Sequence, residues 1–160
     1  MSVWRIERLN ADGAAHDASA FSCGEEALDR YLRDMAARAP QHGLFPVTVA
    51  TRSGDSRILG YYAIDLVGLP EAFRRKSDPP VTVLLVRLAV NEKAQGRGLG
   101  TMLLADAVKR ALQIDLHWTA FLVRALHERA AGFYRRFGFV PLADDPLLLW
   151  LARNRAERLV

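Results

Sequence analysis

A long apolar run, followed by an apolar helix and a second short apolar run, constrains the fold of this chain more than any other feature. The run Val81–Val90 is broken by Thr82 and Arg87 alone, and such continuity is typical of a strand covered on both faces. Residues Gly98–Gln113 carry a broad apolar helical face, and Trp118–Val123 predicts the next strand. A strand, a crossover helix and a strand in this order require a parallel pair.

The other predicted elements are short and separated by clear turn signals. Ser22 and Glu25 predict a capping box at the start of a helix that ends before Pro40. A later helix ends at Gly138, a residue suited to a left-handed C-cap. That helix is Glu128–Phe137, and the remaining predicted strands are Val3–Arg8, Pro46–Thr51, Arg57–Val67, Phe139–Leu142 and Leu147–Leu151. Because the hairpins require antiparallel pairs, we expect an α/β (α+β) fold, with a mixed sheet and helices on both faces.

Size and composition exclude several protein classes. The 160 residues suffice for one domain, and an apolar share of 51% can build a core. Every apolar stretch is too short to cross a bilayer, the N-terminus lacks the apolar region of a signal peptide, and Cys23 is the single cysteine. We therefore expect a soluble, cytoplasmic single domain over residues 1–160. The net charge of +4 comes mainly from arginine, which fits either a polyanionic partner or a GC-rich coding sequence.

A glycine-rich segment, Gln95–Thr101, joins the most apolar strand to the helix that follows it. Its alternating glycines, Gly96, Gly98 and Gly100, let consecutive amides point into one concavity at a helix N-terminus, where a phosphate or pyrophosphate binds well. A tight turn selected for its geometry alone is the other interpretation. The segment lacks the Gly-Lys-Ser/Thr of a Walker A loop and the third glycine of a dinucleotide fingerprint, which excludes both.

Two spaced motifs resemble those of the GNAT N-acetyltransferases. Gln95-Gly96-Arg97-Gly98-Leu99-Gly100 matches that family's acetyl-CoA loop, Gln/Arg-x-x-Gly-x-Gly/Ala. Tyr134, followed by Gly138-Phe139, matches its late-helix motif Tyr-x-x-x-Gly-Phe. The segments that resemble the GNAT toxins of bacterial toxin–antitoxin modules are Phe21–Leu32, Ile58–Ala63, Arg87–Val90 and Phe133–Phe139, and this resemblance covers essentially the whole chain.

The resemblance implies a GNAT fold, whose mostly antiparallel sheet has a splayed central parallel pair. It also implies an enzyme that uses acetyl-CoA, without a metal, to acetylate the α-amine of aminoacyl-tRNA and so block translation. The implied partners are a ribbon–helix–helix antitoxin and a second copy in a homodimer. The alternatives are a GNAT enzyme that acts on a protein N-terminus or a small amine, and a GNAT fold that binds a partner without catalysis.

The resemblance further implies three groups of site residues. Tyr134 is the general acid that protonates the CoA thiolate. His127 stands where the family often has Asn or Asp, and it either contacts the pantetheine arm or is a polar residue at the helix entrance. The acetyl-CoA contacts are Leu88, Ala89, Val90, Gln95, Gly96, Arg97, Gly98, Leu99, Gly100, Thr101, Phe133 and Arg136, and the tRNA contacts are Arg74, Arg75, Lys76 and Arg135.

Many GNAT enzymes have a glutamate on or beside the central strand as a general base. The central strand of this chain carries no carboxylate. An α-amine titrates near about 7.7–8.0, and a neighbouring ester lowers its pKa further, whereas a lysine side chain titrates near about 10.4. The missing base therefore favours an aminoacyl ester or an N-terminal amine over a lysine or a polyamine. Glu92 or a water relay is the alternative that would readmit those substrates.

Overall fold

The computed structural model describes residues 3–11, 15–38, 46–68 and 81–160. The chain divides into two compact units, Met1–Ala63 with Arg87–Leu104, and Ile64–Val86 with Ala105–Val160. We call them the first unit and the second unit. The single domain expected over residues 1–160 stays a prediction.

The described residues form seven strands and four α-helices. The strands are β1 (Trp4–Arg8), β2 (Thr48–Arg52), β3 (Ile58–Gly68), β4 (Val81–Val90), β5 (Ala120–Arg124), β6 (Val140–Pro141) and β7 (Leu148–Ala152). The helices are α1 (Glu26–Ala36), α2 (Leu99–Leu112), α3 (Glu128–Phe137) and α4 (Arg153–Leu159), and a 3-10 turn covers Glu92–Ala94. The predicted elements are therefore present, most of them with bounds shifted by one or two residues.

The strands form a mixed sheet in the order β1-β2-β3-β4-β5-β7-β6. β4 and β5 pair in parallel, which confirms the pair required by the crossover helix. β1 with β2, β2 with β3, β5 with β7 and β6 with β7 all pair antiparallel. The mixed, mostly antiparallel sheet expected from the sequence is thus confirmed.

The parallel pair is short. Its pairing runs from Val83↔Phe121 to Leu85↔Val123, although β4 continues for five more residues. Val86, the next residue of β4, is 39% exposed. The expectation that β4 is covered on both faces along its whole length is therefore wrong at Val86. At this residue β4 is no longer paired with β5, as a splayed pair requires.

Helices cover both faces of β3 in the first unit. Adjacent residues of a strand point to opposite faces, and Tyr61 lies under α1, where its hydroxyl donates to the Leu28 carbonyl at 2.8 Å. Gly60 faces α2 instead, since a Cβ at Gly60 would lie 2.7 Å from Cδ1 of Leu103. The helical stripe predicted from the sequence packs against the core of this unit through Leu28, Tyr31, Leu32 and Met35.

Aromatic side chains fill much of the core of the second unit. Trp118 is fully buried, and its indole N–H donates to the Ala111 carbonyl at 2.8 Å. Phe121 makes edge-to-face contacts with Trp118 and Phe139, at centroid distances of 6.4 and 5.9 Å. Gly138 adopts φ 110° and ends α3 as the predicted left-handed C-cap.

One local prediction is wrong. Ser22 and Glu25 form no capping box: Glu25 is the N-cap residue and makes no side-chain cap, while the Ser22 hydroxyl donates to the Glu92 carboxylate at 3.1 Å. Asp29 stabilises this helix start instead, because its carboxylate accepts the Cys23 N–H at 2.9 Å. The residues after β7 form the helix α4. Between β3 and β4, residues 69–80 lie outside the described residues.

Within the described residues, no helix has both the length and the apolar character that a bilayer crossing requires.

Candidate active site

The glycine-rich segment after β4 has the backbone conformation that an anion cradle requires. Gly96 and Gly98 adopt φ values of 77° and 85°, a region that other residues rarely enter. A Cβ at either glycine would meet nothing within 4 Å, so their role is conformational and the space beside them is open. Met102 donates to the Gly98 carbonyl at 3.1 Å and closes the first turn of α2.

The amides of this segment are available to a ligand. No backbone N–H from Gly96 to Thr101 has a backbone hydrogen-bond partner among the described residues. They are followed by α2, whose macrodipole adds partial positive charge at this end, and Arg97 is exposed beside them. Consecutive unpaired amides at a helix N-terminus suit a pyrophosphate, such as that of acetyl-CoA.

Side chains around the segment hold it in place. The Gln95 amide donates to the Val90 carbonyl at 2.9 Å and to the Cys23 carbonyl at 3.3 Å. Asn91, which is 8% exposed, accepts the Lys93 N–H at 3.1 Å, and its own N–H donates to the Leu59 carbonyl at 2.8 Å. The side chain of Gln95, predicted as an acetyl-CoA contact, thus ties the start of the segment to the end of β4 and to the chain that precedes α1.

The end of β4 supplies backbone groups and one cation. Ala89 is buried, Leu88 is half-buried, and the Val90 carbonyl is already engaged by Gln95. The guanidinium of Arg87 lies 3.6 Å from the centroid of the Tyr31 ring, in a cation–π contact. Sequence reasoning missed this contact, because no local pattern relates a strand residue to a helix residue so distant along the chain.

Glu92, the alternative general base, is committed in part to another contact. Its carboxylate accepts a hydrogen bond from the Ser22 hydroxyl at 3.1 Å and is exposed. β4 itself carries no carboxylate along its described length. The first unit therefore offers an acyl donor a backbone cradle and a fixed cation, and no buried base on β4.

Tyr134 has a buried ring and an accessible hydroxyl. Only 7% of the residue is exposed, and its ring packs edge-to-face against Phe133 and Phe139 at centroid distances of 5.2 and 5.7 Å. The hydroxyl has no hydrogen-bond partner among the described residues. Every side-chain N or O atom of those residues that is fully buried does have a partner. The hydroxyl oxygen must therefore reach the protein surface.

Burial also determines the protonation state of Tyr134. It raises the pKa of the phenol above its ordinary value of 10.0, because the phenolate would be poorly solvated. The side chain consequently carries its proton throughout the physiological range. A protonated phenol whose hydroxyl reaches the surface is suited to donate a proton to a leaving group.

The other site residues of the second unit lie on or beside α3. His127 is the N-cap of this helix, and its Nδ1 accepts the Ala130 N–H at 3.2 Å, which agrees with its interpretation as a polar residue at the helix entrance. Arg135 is paired with Glu128 at 2.6 Å, so its charge is largely neutralised. Arg136 is exposed. Phe133 contacts Tyr134.

The predicted site residues thus fall into two described groups and one group outside the description. Leu88 to Thr101 come together in the first unit, and Phe133 to Arg136 come together in the second. Arg74, Arg75 and Lys76 lie outside the described residues. No cluster of three or more His, Cys, Asp or Glu side chains that could hold a metal ion occurs in the part of the chain that the structure describes.

Comparisons with known proteins extend these observations. The model of the acetyltransferase (GNAT) domain matches residues 46–141. The chain is 40% identical to a tRNA-acetylating toxin of Mycobacterium tuberculosis, over 100% of this chain and 99% of that protein. The structure is similar to that of AtaT complexed with acetyl-methionyl-tRNAfMet, with 27% identity, 98% of each chain covered and a TM-score of 0.82.

A second solved structure is also similar. It is a tyrosine-to-phenylalanine mutant of AtaT bound to the C-terminus of the antitoxin AtaR and to acetyl-CoA. The identity is 29%, the match covers 99% of this chain and 98% of that chain, and the TM-score is 0.81.

Proposed function

The chain belongs to the GNAT acetyltransferase family, and from this premise we propose that it transfers the acetyl group of acetyl-CoA to the α-amine of aminoacyl-tRNA and so acts as a toxin that blocks translation. The observation that carries acetyl transfer is the run of unpaired amides from Gly96 to Thr101 at the start of α2. The observations that favour charged tRNA are the 40% identity to a tRNA-acetylating toxin over the full chain and the absence of a carboxylate on β4.

Acetyl-CoA binds through backbone groups. The amides of Gly96 to Thr101 hold the pyrophosphate, with Arg97 at the rim, and exposed Arg136 contacts a further phosphate. The backbone of Leu88 to Val90 lines the pantetheine arm, and an N–H at this end of β4 polarises the thioester carbonyl. Such a donor to an oxyanion is worth about 2.7–4 kcal/mol of barrier in other acyl transfers.

The transfer needs one acid and no strong base. The neutral α-amine attacks the thioester carbonyl carbon, the C–N bond forms, and the tetrahedral oxyanion collapses with loss of the C–S bond. Tyr134 gives its phenolic proton to the departing thiolate and regains one from water, while the amine releases its proton to solvent. An α-amine near an ester is largely neutral at about pH 7.5, so the chain needs no carboxylate to deprotonate it.

Further parts of the proposal concern partners and location. We propose that the toxin acts in the cytoplasm as a homodimer and that a ribbon–helix–helix antitoxin inhibits it, since two solved relatives include a toxin bound to an antitoxin and a toxin bound to an acetylated tRNA. Arg74, Arg75 and Lys76 are proposed to contact tRNA. Arg135 belongs to this set as well, although its pairing with Glu128 weakens that role.

The experiment is incubation of the protein with acetyl-CoA and total charged tRNA, followed by mass spectrometry of the esterified amino acids. We expect N-acetyl-aminoacyl-tRNA from the wild type and a loss of about 10²–10⁴ in kcat for Tyr134→Phe, the usual range for a general acid. Phe137→Leu is a matched control, since it changes another aromatic ring of α3 and leaves the Tyr134 hydroxyl in place. Acetylation of peptide N-termini or small amines, with charged tRNA left unmodified, would replace this proposal by the alternative enzyme.

A further inference from the structure

A groove of about 240 Å³ lies in the first unit, lined by the start of β1, the turn between β2 and β3, and the 3-10 turn after β4. We propose that this groove binds the phosphodiester backbone of the tRNA substrate. The inference rests on the proposed function and adds residues that differ from the tRNA contacts expected from the sequence. It is carried by the charges that line the groove and by the absence of an ion pair for three of its four cations.

The lining has an excess of positive charge. Four basic and two acidic side chains line the groove, namely Arg52, Arg57, Lys93 and Arg97 with Asp17 and Asp55. Arg57 is neutralised locally, because it pairs with Asp55 at 2.6 Å. Arg52, Lys93 and Arg97 are exposed, and none of them has an ion pair or a side-chain hydrogen bond among the described residues, although the charge of Arg52 also acts on Asp55. Even with Asp17 counted, the lining keeps an excess of positive charge. Arg52 and Lys93 are available to phosphates of the tRNA, while Arg97 is shared with the pyrophosphate of the donor.

The ionisation of Asp55 supports the conclusion that the Arg57–Asp55 pair adds no net charge to the groove. Its hydrogen bond from Arg57 lowers the pKa of the carboxyl to about 2, so the pair is fully ionised and its charges cancel at neutral pH. The remaining cations are held by the fold at separate places: Arg52 at the end of β2, Lys93 in the 3-10 turn and Arg97 in the loop before α2. Several cations carried at separate places of one groove suit a polyanion better than a single carboxylate.

The apolar part of the lining favours a nucleic acid over a peptide. Phe21 and Ile58 are each only 2% exposed, and Ala94 is 5% exposed, so they form the floor and offer little contact area. A docked peptide requires accessible apolar pockets for its anchor residues. Trp4 is the half-buried aromatic residue of the lining, and an indole at the edge of a basic groove is suited to contact a ribose or an unstacked base.

The groove supplies phosphate contacts beyond those of acetyl-CoA. The unpaired amides after β4 already account for the pyrophosphate of the acyl donor. Arg97 belongs to that loop and also lines the groove, whereas Arg52 and Lys93 line the groove from outside the loop. The pyrophosphate of the donor therefore leaves these two cations available to a second polyanion.

The test neutralises two groove cations that lie outside the acetyl-CoA loop. The variant is Arg52→Gln with Lys93→Gln, and the matched control is Arg8→Gln with Lys109→Gln, two exposed cations that do not line the groove. Affinity for deacylated tRNA is measured against salt concentration. KM is then measured for charged tRNA, for an aminoacylated trinucleotide that lacks the tRNA body, and for acetyl-CoA.

We expect the double variant to lower the slope of log Kd against log salt by about 2, since each lost phosphate contact lowers it by about 0.9. KM for charged tRNA should rise about tenfold at low salt, while KM for the trinucleotide ester and for acetyl-CoA changes less than about twofold. The control variant should match the wild type in every measurement. A melting temperature close to that of the wild type shows that the variant is folded.

Three results would overturn the inference. A rise in KM for acetyl-CoA that disappears with dephospho-CoA would assign the groove to the 3′-phosphate of the donor. An unchanged salt slope together with weakened binding of an acidic peptide would assign it to a protein partner. Unchanged behaviour toward all three would show that the groove binds none of them. If the wild type binds tRNA in this groove and fails to acetylate charged tRNA, the proposed function fails and the groove stands.

Discussion

Gly60→Ala tests the close approach between β3 and the first turn of α2. A Cβ at this position would lie 2.7 Å from Leu103 Cδ1, 3.2 Å from the Ala89 carbonyl oxygen and 3.4 Å from Leu99 Cδ2. Leu103 is fully buried, and the Ala89 oxygen belongs to the backbone of the neighbouring strand β4. We therefore expect the added methyl group to displace the Leu103 side chain within the packed core and to shift the start of α2 away from β3.

The magnitude follows from overpacking, which costs about 1–3 kcal/mol in a well-packed core. Replacing glycine also stiffens the unfolded chain, which stabilises by about 0.4–1 kcal/mol. Gly68→Ala, in the same strand, shares that gain and meets nothing within 4 Å, so the difference between the two variants isolates the clash. We expect Gly60→Ala to be less stable than Gly68→Ala by about 2 kcal/mol, or roughly 4–8 °C in Tm for a chain of this size.

Urea unfolding and thermal melting of both variants measure this difference. Because α2 carries the amides of Gly100 and Thr101, the displaced helix should also raise KM for acetyl-CoA in Gly60→Ala and leave it unchanged in Gly68→Ala. Leu103→Ala should relieve the clash, so that the double variant loses less stability than the sum of the two single variants. Equal melting temperatures for Gly60→Ala and Gly68→Ala would refute the argument.

Three further predictions follow from local contacts. His127→Ala should cost about 1 kcal/mol of unfolding free energy, since it removes the acceptor of the Ala130 N–H, and His127→Asp should restore the stability; equal urea midpoints for both would contradict a capping role. Burial and a hydrogen bond to a carboxylate raise the pKa of Cys23 to about 11, so its reaction with a disulfide reagent at pH 7.5 should be roughly 100-fold slower than that of an unperturbed thiol. The carboxyl of Asp55 should titrate near pH 2 by NMR, and at a higher pH in Arg57→Gln, which removes the guanidinium and keeps the backbone N–H of residue 57; since the folded-state pKa is lowered, the stability it contributes is present above the ordinary value of 3.8 and lost as the pH falls toward 2.

Local signals in the sequence predicted most of the secondary structure. The bounds of β4 and α3 agree with the sequence prediction, and the C-cap at Gly138 adopts the left-handed conformation expected of it. These features depend on residues close together along the chain, where periodicity and glycine conformation can be read directly. The prediction of a capping box was wrong because the Ser22 hydroxyl donates a hydrogen bond to Glu92, which is 70 residues away along the chain.

The sequence predicted the motifs of the candidate site, but it did not predict the contacts that hold those motifs in place. The glycines of the loop and the tyrosine of α3 stand out in the sequence, because their spacing reflects the shape of a phosphate cradle and of a helix face. The brace from Gln95 to the Cys23 carbonyl spans 72 residues, and the contact of Arg87 with Tyr31 joins a strand to a helix. Neither has a periodic signal, since each depends on which elements the fold brings together.

The sequence by itself determined the parallel crossover, since a strand, an apolar helix and a strand follow one another along the chain. It also contained the glycine motif and the tyrosine motif on which the proposed acetyl transfer rests. Only the tertiary structure decided which basic side chains form ion pairs and which do not. Arg135 is neutralised by Glu128 and Arg57 by Asp55, whereas Arg52, Lys93 and Arg97 line one groove. The net charge of +4 is a sum that says nothing about where the individual charges lie. Because electrostatic attraction depends on the distance between charges, only the folded chain shows where a polyanion can bind.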